Sequence, residues 1–290
     1  ELCKIAVREA PQTAVIVDMD MISSRLVALA WAADRSFKRR WFLFEKWKLE
    51  RLERQLVHAP ILLLLSNPEE LTALHRRNHS PGSKSKSALL PNNMPGLAPA
   101  GDVQRQPVIL FFGSMDSAAN TDGFAFLMDE VLSEIEPELK RHHVVIQVVG
   151  KNPPAHFRER LARSSTDRVA IIGGVDSIER AIAESLFVLL PLRIASGTRT
   201  RILEAAAQRR AVVTTPIGVE GLDLADTVLT GSSARELADQ VRRLLADPGA
   251  ADRLGETLGA RAASHYGPEK VAGDLVHTVE NFICRKNGGA

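Results

Sequence analysis

Cysteine is scarce. Cys3 and Cys284 are the whole supply in 290 residues, which excludes a disulfide framework and fits a reducing compartment. No Cys/His cluster has metal-ligand spacing, so no metal site is expected; His142 and His143 are adjacent and precede an apolar run. Apolar runs stay short, as at Ile61–Leu65 behind Pro60, against the roughly 20 residues of a membrane-spanning helix. Neither sign of charge dominates: 37 Lys plus Arg face 35 Asp plus Glu, and no nucleic-acid partner is expected from that balance. Three nucleotide and nucleophile signatures are missing too: G-x-G-x-x-G after a strand, G-x-x-x-x-G-K-[ST], and G-x-S-x-G. Their absence argues against dinucleotide redox chemistry, P-loop phosphoryl transfer and acyl transfer from a serine elbow. The chain also starts at Glu1 without Met or a signal-peptide pattern, and reads as one that begins partway through a domain.

What is present is an ordinary globular composition, 45% apolar and 25% charged, at a length that fits about two domains. Charge divides the chain, with a balance of +5 over residues 1–105 and −3 over 106–290. Pro95–Asp102, rich in Pro and Gly, has linker composition. Beyond it, apolar runs at Val108–Phe112, Val144–Val149, Val169–Ile172, Phe187–Leu190 and Ala211–Thr215, with a weaker one at Thr227–Leu229, alternate with helical patterns. Strands apolar throughout and separated by helices predict a parallel sheet covered on both faces. Before the linker the same rhythm gives about three strands, at Ala14–Val17, Ile61–Leu65 and Ala88–Leu90, with helices near Ile22–Ala33, Phe42–Val57 and Pro68–Arg77. The expected fold class is α/β: one complete Rossmann-like doubly wound domain and part of a second Rossmann-like domain. The expected limits are 1–95 for the partial domain, 96–105 for a linker, 106–267 for the complete domain and 268–290 for a C-terminal helix and tail.

Open α/β sheets bind ligands beyond the carboxyl ends of their strands. The residues there are Gly113-Ser114, Gly150-Lys151, Gly173-Gly174, Pro191–Thr198 and Pro216–Gly221. The segment around Gly197 is the most informative. Thr198 is a plausible N-cap for a helix to about Gln208, yet Arg199 and Arg201 occupy a first turn where carboxylates are favoured. A helix start with Gly and two Arg suits a diphosphate. Glu204, a turn further on, has the chemistry to accept both hydroxyls of a ribose, and Ala205-Ala206-Ala207 permits close packing. Asp18 and Asp20 form an acidic pair after a strand, with the chemistry to bind a metal or position a sugar, and with side chains opposed if the strand continues.

Taken together these segments resemble the nucleotide-binding domain of retaining GT-B glycosyltransferases, family 4 in particular. The carrying residues are Phe111–Asp116 with Asn120 and Asp122-Gly123, Val148–Lys151, Ile172–Asp176, Pro191–Arg193, Gly197–Ala207, Val212–Thr215 and Gly218–Leu222. Val17–Arg25, Glu50, Arg51, Glu53, Leu65-Ser66 and Pro91-Asn92 resemble the end of the family's acceptor domain. The resemblance implies transfer of a sugar from a nucleotide diphosphate sugar, with retention and no metal or other cofactor, to a saccharide or lipid-linked acceptor, in polysaccharide or glycolipid synthesis in the cytoplasm. It implies a diphosphate held by Gly113, Ser114, Gly197, Thr198, Arg199 and Arg201, a ribose on Glu204, and a base beside Gly173. Asp18 and Asp20 are the acceptor-side candidates. One departure is Ser196 where many members carry Glu. The alternative is a nucleotide-sugar-binding remnant without turnover.

Aromatics are few, 14 in all, yet Trp31, Phe37, Trp41, Phe42, Phe44 and Trp47 lie within 17 positions. Asp34–Arg54 adds eight basic and four acidic side chains. Trp interleaved with Lys and Arg on a helix predicts peripheral contact with a membrane face through Trp41 and Trp47; the competing expectation is that these rings fill the acceptor-domain core, or a gap left by strands expected before Glu1.

Overall fold

The computed structural model describes residues 2–10, 12–19, 22–33, 39–78, 86–98, 103–115, 117–164, 166–194 and 199–287. The chain divides into two compact units. One takes the residues up to Asn93 and those from Pro268 onward; the other is drawn from Met94–Gly267.

The first unit contains helix α1 (Leu2–Glu9), strand β1 (Ile16–Asp18), α2 (Ser23–Ala33), α3 (Arg39–Val57), β2 (Leu62–Leu65), α4 (Pro68–Asn78) and β3 (Lys86–Leu89). The three strands pair in parallel in the order β1-β2-β3, with Ile16 opposite Leu62 and Leu62 opposite Lys86. The four leucines of β2 are buried because the strand is central, as its uniform apolarity requires. Ile22, Val57, Ile61, Leu63, Leu65 and Leu74 form the core. Two buried carboxylates fasten the helices to it. Glu53 of α3 accepts from Ser24 N at 3.0 Å and Ser24 Oγ at 2.7 Å, and Glu70 of α4 accepts from Ile22 N at 2.7 Å. Both sit where the first amides of α2 have no intrahelical acceptor and the helix dipole favours an anion. Helix α1 lies outside the sequence expectation; its eight residues carry neither a cap signal nor a long periodic stripe.

The second unit follows the expected alternation: β4 (Val108–Phe112), α5 (Ala118–Phe126), a π-turn (Leu127–Val131), α6 (Leu132–Arg141), β5 (Val145–Val149), α7 (Ala155–Ser164), β6 (Val169–Gly173), α8 (Ile178–Glu184), β7 (Phe187–Leu190), α9 (Thr200–Ala207), β8 (Val212–Thr214), α10 (Pro216–Val219), β9 (Leu229–Thr230), α11 (Ala234–Ala246) and α12 (Pro248–Tyr266). Helix α13 (Pro268–Asn287) returns to the first unit. The six strands are parallel in the order β6-β5-β4-β7-β8-β9. The chain therefore winds outward from β4 in one direction, crosses back, and winds outward from β7 in the other. Alternate residues of each strand feed two cores. Ile109, Phe111, Ile146, Val148 and Leu189 face one layer of helices, and Leu110, Phe112, Val188, Leu190 and Val212 the other.

Three details differ from expectation. The helix after β4 is broken by the π-turn, which keeps Leu127, Met128 and Val131 all buried. The last strand begins at Leu229, because Ala225–Thr227 closes into a 3₁₀ turn held by Thr227 Oγ1 on Leu224 O at 2.8 Å. The linker is tied to the second unit at both ends of its described residues: Ala98 N donates to Ala207 O at 2.8 Å and Arg105 pairs with Asp252 at 2.5 Å.

Candidate functional site

The winding reverses between β4 and β7, and the carboxyl ends of β4, β5 and β6 open there into a cleft of about 470 Å³. Each strand end delivers backbone and a short side chain: Phe112-Gly113-Ser114 from β4, Val149-Gly150-Lys151 from β5, and Gly174-Val175 beyond β6. Ile178 of α8 and Thr200, Arg201 and Glu204 of α9 close the other side, with Ser117 and Asn120 at the start of α5.

The glycines act through what they lack. Gly113 has φ +145°, and a Cβ there would lie 2.7 Å from Asn120 Nδ2 and 2.8 Å from Arg201 Nη1. A Cβ on Gly150 would lie 2.0 Å from Gly113 O. Their amides are already engaged, Gly113 N with Val149 O at 3.0 Å and Gly150 N with Gly173 O at 2.7 Å. Gly113 thus supplies room for a guanidinium and for a ligand, and the donors come from other groups.

Arg201 is the central donor. Its Nη1 donates to Phe112 O at 3.3 Å and to Asn120 Oδ1. Asn120 is fixed in turn by its Nδ2, which donates to Ser114 O at 2.6 Å. One amide therefore orients both the cation and the loop after β4. Among the described residues Arg201 bonds through Nη1 alone, which leaves Nε and Nη2 for an incoming anion. Burial pushes the guanidinium down to about 10; nearby Arg199 adds to this and Glu204 offsets part of it. A cation so short of counter-charge is suited to a polyanionic ligand.

Glu204, one turn along the same face, lines the cleft with no hydrogen bond or ion pair from its carboxylate to any described residue. Burial raises its carboxyl above the usual range, Arg201 working against the shift and Glu179 with it. Behind it Ala205, Ala206 and Ala207 are fully buried, and Gly259 of α12 comes so close that a Cβ would sit 2.9 Å from Ala206 O. The small-residue run seats α9 deeply and so fixes where Arg201 and Glu204 stand.

The structure gathers Gly113, Ser114, Arg201 and Glu204 in one cleft. Gly173 ends β6 at φ +84° and hands the chain to Gly174, which lines it. Arg199 goes elsewhere. It is buried at the N-cap of α9, donating through Nε and Nη2 to Ile217 O at 3.2 and 3.0 Å, and it is not among the cleft-lining residues. The helix begins at Thr200, so Arg199 holds the cap position expected of Thr198, without a side-chain cap bond. Gly197, Thr198 and Asp20 lie outside the described residues. Asp18 ends β1 in the first unit, exposed. Lys151, read at a strand end, and Val175, within the Ile172–Asp176 segment, also line the cleft; Asn120 belongs to the family resemblance, while spacing alone gives no signal for its hold on Arg201.

Residues 106–247 match the family model described as Glycosyl transferases group 1. No curated protein matches the chain in sequence. Solved structures do match in fold. The crystal structure of Anabaena Alr3699/HepE in complex with UDP and glucose gives a TM-score of 0.71 at 15% identity, over 96% of this chain and 74% of that one. Sucrose-phosphate synthase (tll1590) from Thermosynechococcus elongatus gives 0.69 at 18% identity, over 97% and 71%. A mutant of S. aureus TarM in complex with Fondaparinux, alpha-GlcNAc-glycerol and UDP gives 0.64 at 12%, over 81% and 46%, so this chain spans less than half of TarM's length. The fold is that of GT-B glycosyltransferases, and the family match over the cleft-bearing unit supports a glycosyltransferase.

Proposed function

We propose that the protein is a retaining glycosyltransferase of the family 4 type that moves a sugar from a nucleotide diphosphate sugar to a saccharide or lipid-linked acceptor, in the cytoplasm, in polysaccharide or glycolipid synthesis. The observation that carries the reading is the pairing in one cleft of Arg201, with donors to spare, and Glu204, with an unengaged carboxylate, one helical turn apart at the sheet's reversal point. A nucleoside diphosphate presents these charges in the same order: a diphosphate for the guanidinium and adjacent ribose hydroxyls for the carboxylate. Val175 and Ile178 offer an apolar wall for the base, and Lys151 a second cation at the rim. Gly113 leaves space for the diphosphate, and Ser114 stands beside it.

Chemically, the bond that breaks lies between the anomeric carbon and the diphosphate oxygen, and negative charge grows on that oxygen as it leaves. Cations already in place stabilise such charge without reorganising during the step. Arg201 is held by Phe112 O and Asn120 in advance of the ligand, which is that kind of preorganisation. The names of the structurally similar proteins, with UDP bound to HepE and to TarM, agree with this donor class.

The test is nucleotide release. UDP- and GDP-sugars are incubated with simple saccharides and lipid-linked acceptors, and freed nucleotide is measured together with the anomeric configuration of the product by NMR. Acceptor-dependent release with the donor's configuration kept supports the proposal. Tight nucleotide binding with no release from any donor reassigns the chain as a binding remnant.

A further inference from the structure

Helix α3 presents a surface that the donor cleft does not use. Trp41, Phe44 and Trp47 are 61%, 56% and 50% exposed, where a core role would bury them, and Leu43 and Leu52 are exposed beside them. The helix turns about 100° per residue. On that wheel these five side chains fall on one half of the helix, and Lys48, Arg51 and Arg54 fall on the same half. The cations lie against the rings: Lys48 Nζ is 5.5 Å from the Phe44 centroid and the Arg51 guanidinium 5.8 Å from that of Trp47, which stacks on Phe44 at 6.2 Å.

Acidic groups are kept off that half. Glu53 points inward to Ser24. Glu45 and Glu50 stand at its edges, where they pair with Lys48 at 3.1 Å and Lys46 at 3.6 Å. The inward half carries the packing, with Glu53 bonded to Ser24 of α2 and Val57 buried in the unit's core, so the outward aromatics are not needed to hold the unit together. No helix among the described residues is long and apolar enough to cross a membrane.

We infer that the outward face of α3 docks on an anionic phospholipid surface. Rings with an apolar body and a polar edge sit at the level of lipid headgroups, and cations interleaved with them meet headgroup phosphates. A protein partner would ask for a shaped apolar patch; a row of flat rings under mobile cations asks only for a plane of apolar chains beneath negative charge. This goes beyond sugar transfer and does not depend on it, although a lipid-linked acceptor would be met at such a surface.

The test is flotation of the full chain with vesicles of phosphatidylcholine alone and of phosphatidylcholine and phosphatidylglycerol in equal parts. Binding is expected to the anionic vesicles only, and to fall as salt rises. Trp41→Ser with Trp47→Ser lowers partitioning at least about tenfold. Lys48→Gln, Arg51→Gln and Arg54→Gln together lower it about a hundredfold at low salt. Circular dichroism and melting temperature show that each variant folds, as exposed positions should allow. Arg201→Met floats like wild type even if the nucleotide assignment fails, which separates the two ideas. Absence of flotation, equal binding to neutral vesicles, or flotation unchanged in both sets of variants overturns the inference. So does concentration-dependent self-association, abolished by the Trp substitutions, in a protein that does not float.

Discussion

Replacing Arg201 with Met removes the charge and keeps most of the volume. Burial lowers the guanidinium from its ordinary value to about 10, a cost on the order of 3 kcal/mol for holding a cation in the cleft without a ligand. Met relieves that cost but orphans Asn120 Oδ1 and one bond to Phe112 O, worth about 1–3 kcal/mol. The two nearly cancel, so the unliganded variant should melt within a few degrees of wild type. Nucleotide binding has no such compensation. Losing charge-assisted bonds to a diphosphate costs about 1.5–3 kcal/mol, or roughly ten- to 150-fold in Kd. Arg201→Lys should recover part of this, since an ammonium keeps the charge and loses the fork. Isothermal titration with UDP and GDP, beside thermal melts of the free proteins, separates the terms. Unchanged affinity in Arg201→Met, or a collapse in melting temperature that accounts for the lost binding, would refute the assignment of Arg201 as an anion donor.

Three further outcomes follow from named contacts. Glu204 has its folded-state pKa raised by burial, so its stabilising contribution is complete below the unfolded value of 4.5 and is lost as pH rises through the folded value. Glu204→Gln should therefore melt at or above wild type at pH 7, with the gain vanishing below about pH 4.5. Affinity for a nucleoside diphosphate sugar, whose phosphates hold no proton in this range, should rise with pH through the folded pKa in wild type and stay flat and weak in Glu204→Gln; matching pH profiles would remove Glu204 from the ribose. Gly113→Ala forces both a positive φ and two contacts under 3.0 Å, and should cost about 1–3 kcal/mol of stability while displacing Arg201; a variant that melts and binds as wild type would contradict the close approach. Glu53→Ala strips the buried acceptor from Ser24 N and Oγ and should destabilise the first unit by about 2–4 kcal/mol in urea unfolding, leaving the second unit's transition in place.

The strands of both units are legible in the sequence because each is apolar throughout and bounded by Gly, Pro or polar residues. Phe187–Leu190 and Val108–Phe112 agree to the residue. Boundaries slip where tertiary contacts decide them. A π-turn depends on which of Leu127, Met128 and Val131 the core can take, and a two-residue edge strand on a 3₁₀ turn before it. The cleft is legible through one topological rule, since residues beyond parallel strands converge wherever the winding reverses. Which way a side chain turns is not. Arg199 and Arg201 look equivalent two positions apart, yet Arg199 stands outside the helix at its N-cap, bonded to Ile217 O, and Arg201 in the first turn lines the cleft. Asn120 cannot be found by spacing, because its role is to bond Arg201 and Ser114 O, groups 81 and 6 positions away. The outward rings of α3 are legible as a cluster, and only the packing of Glu53 and Val57 decides which face they take.

Calorimetric titration of the wild-type chain with UDP, GDP and their sugars tests the donor cleft most directly. One saturable site per chain is expected, preferring one base, weakened at least about tenfold by Arg201→Met and again by Glu204→Gln. No heat with any of these nucleotides, or a site that both substitutions leave intact, would contradict the assignment of the cleft.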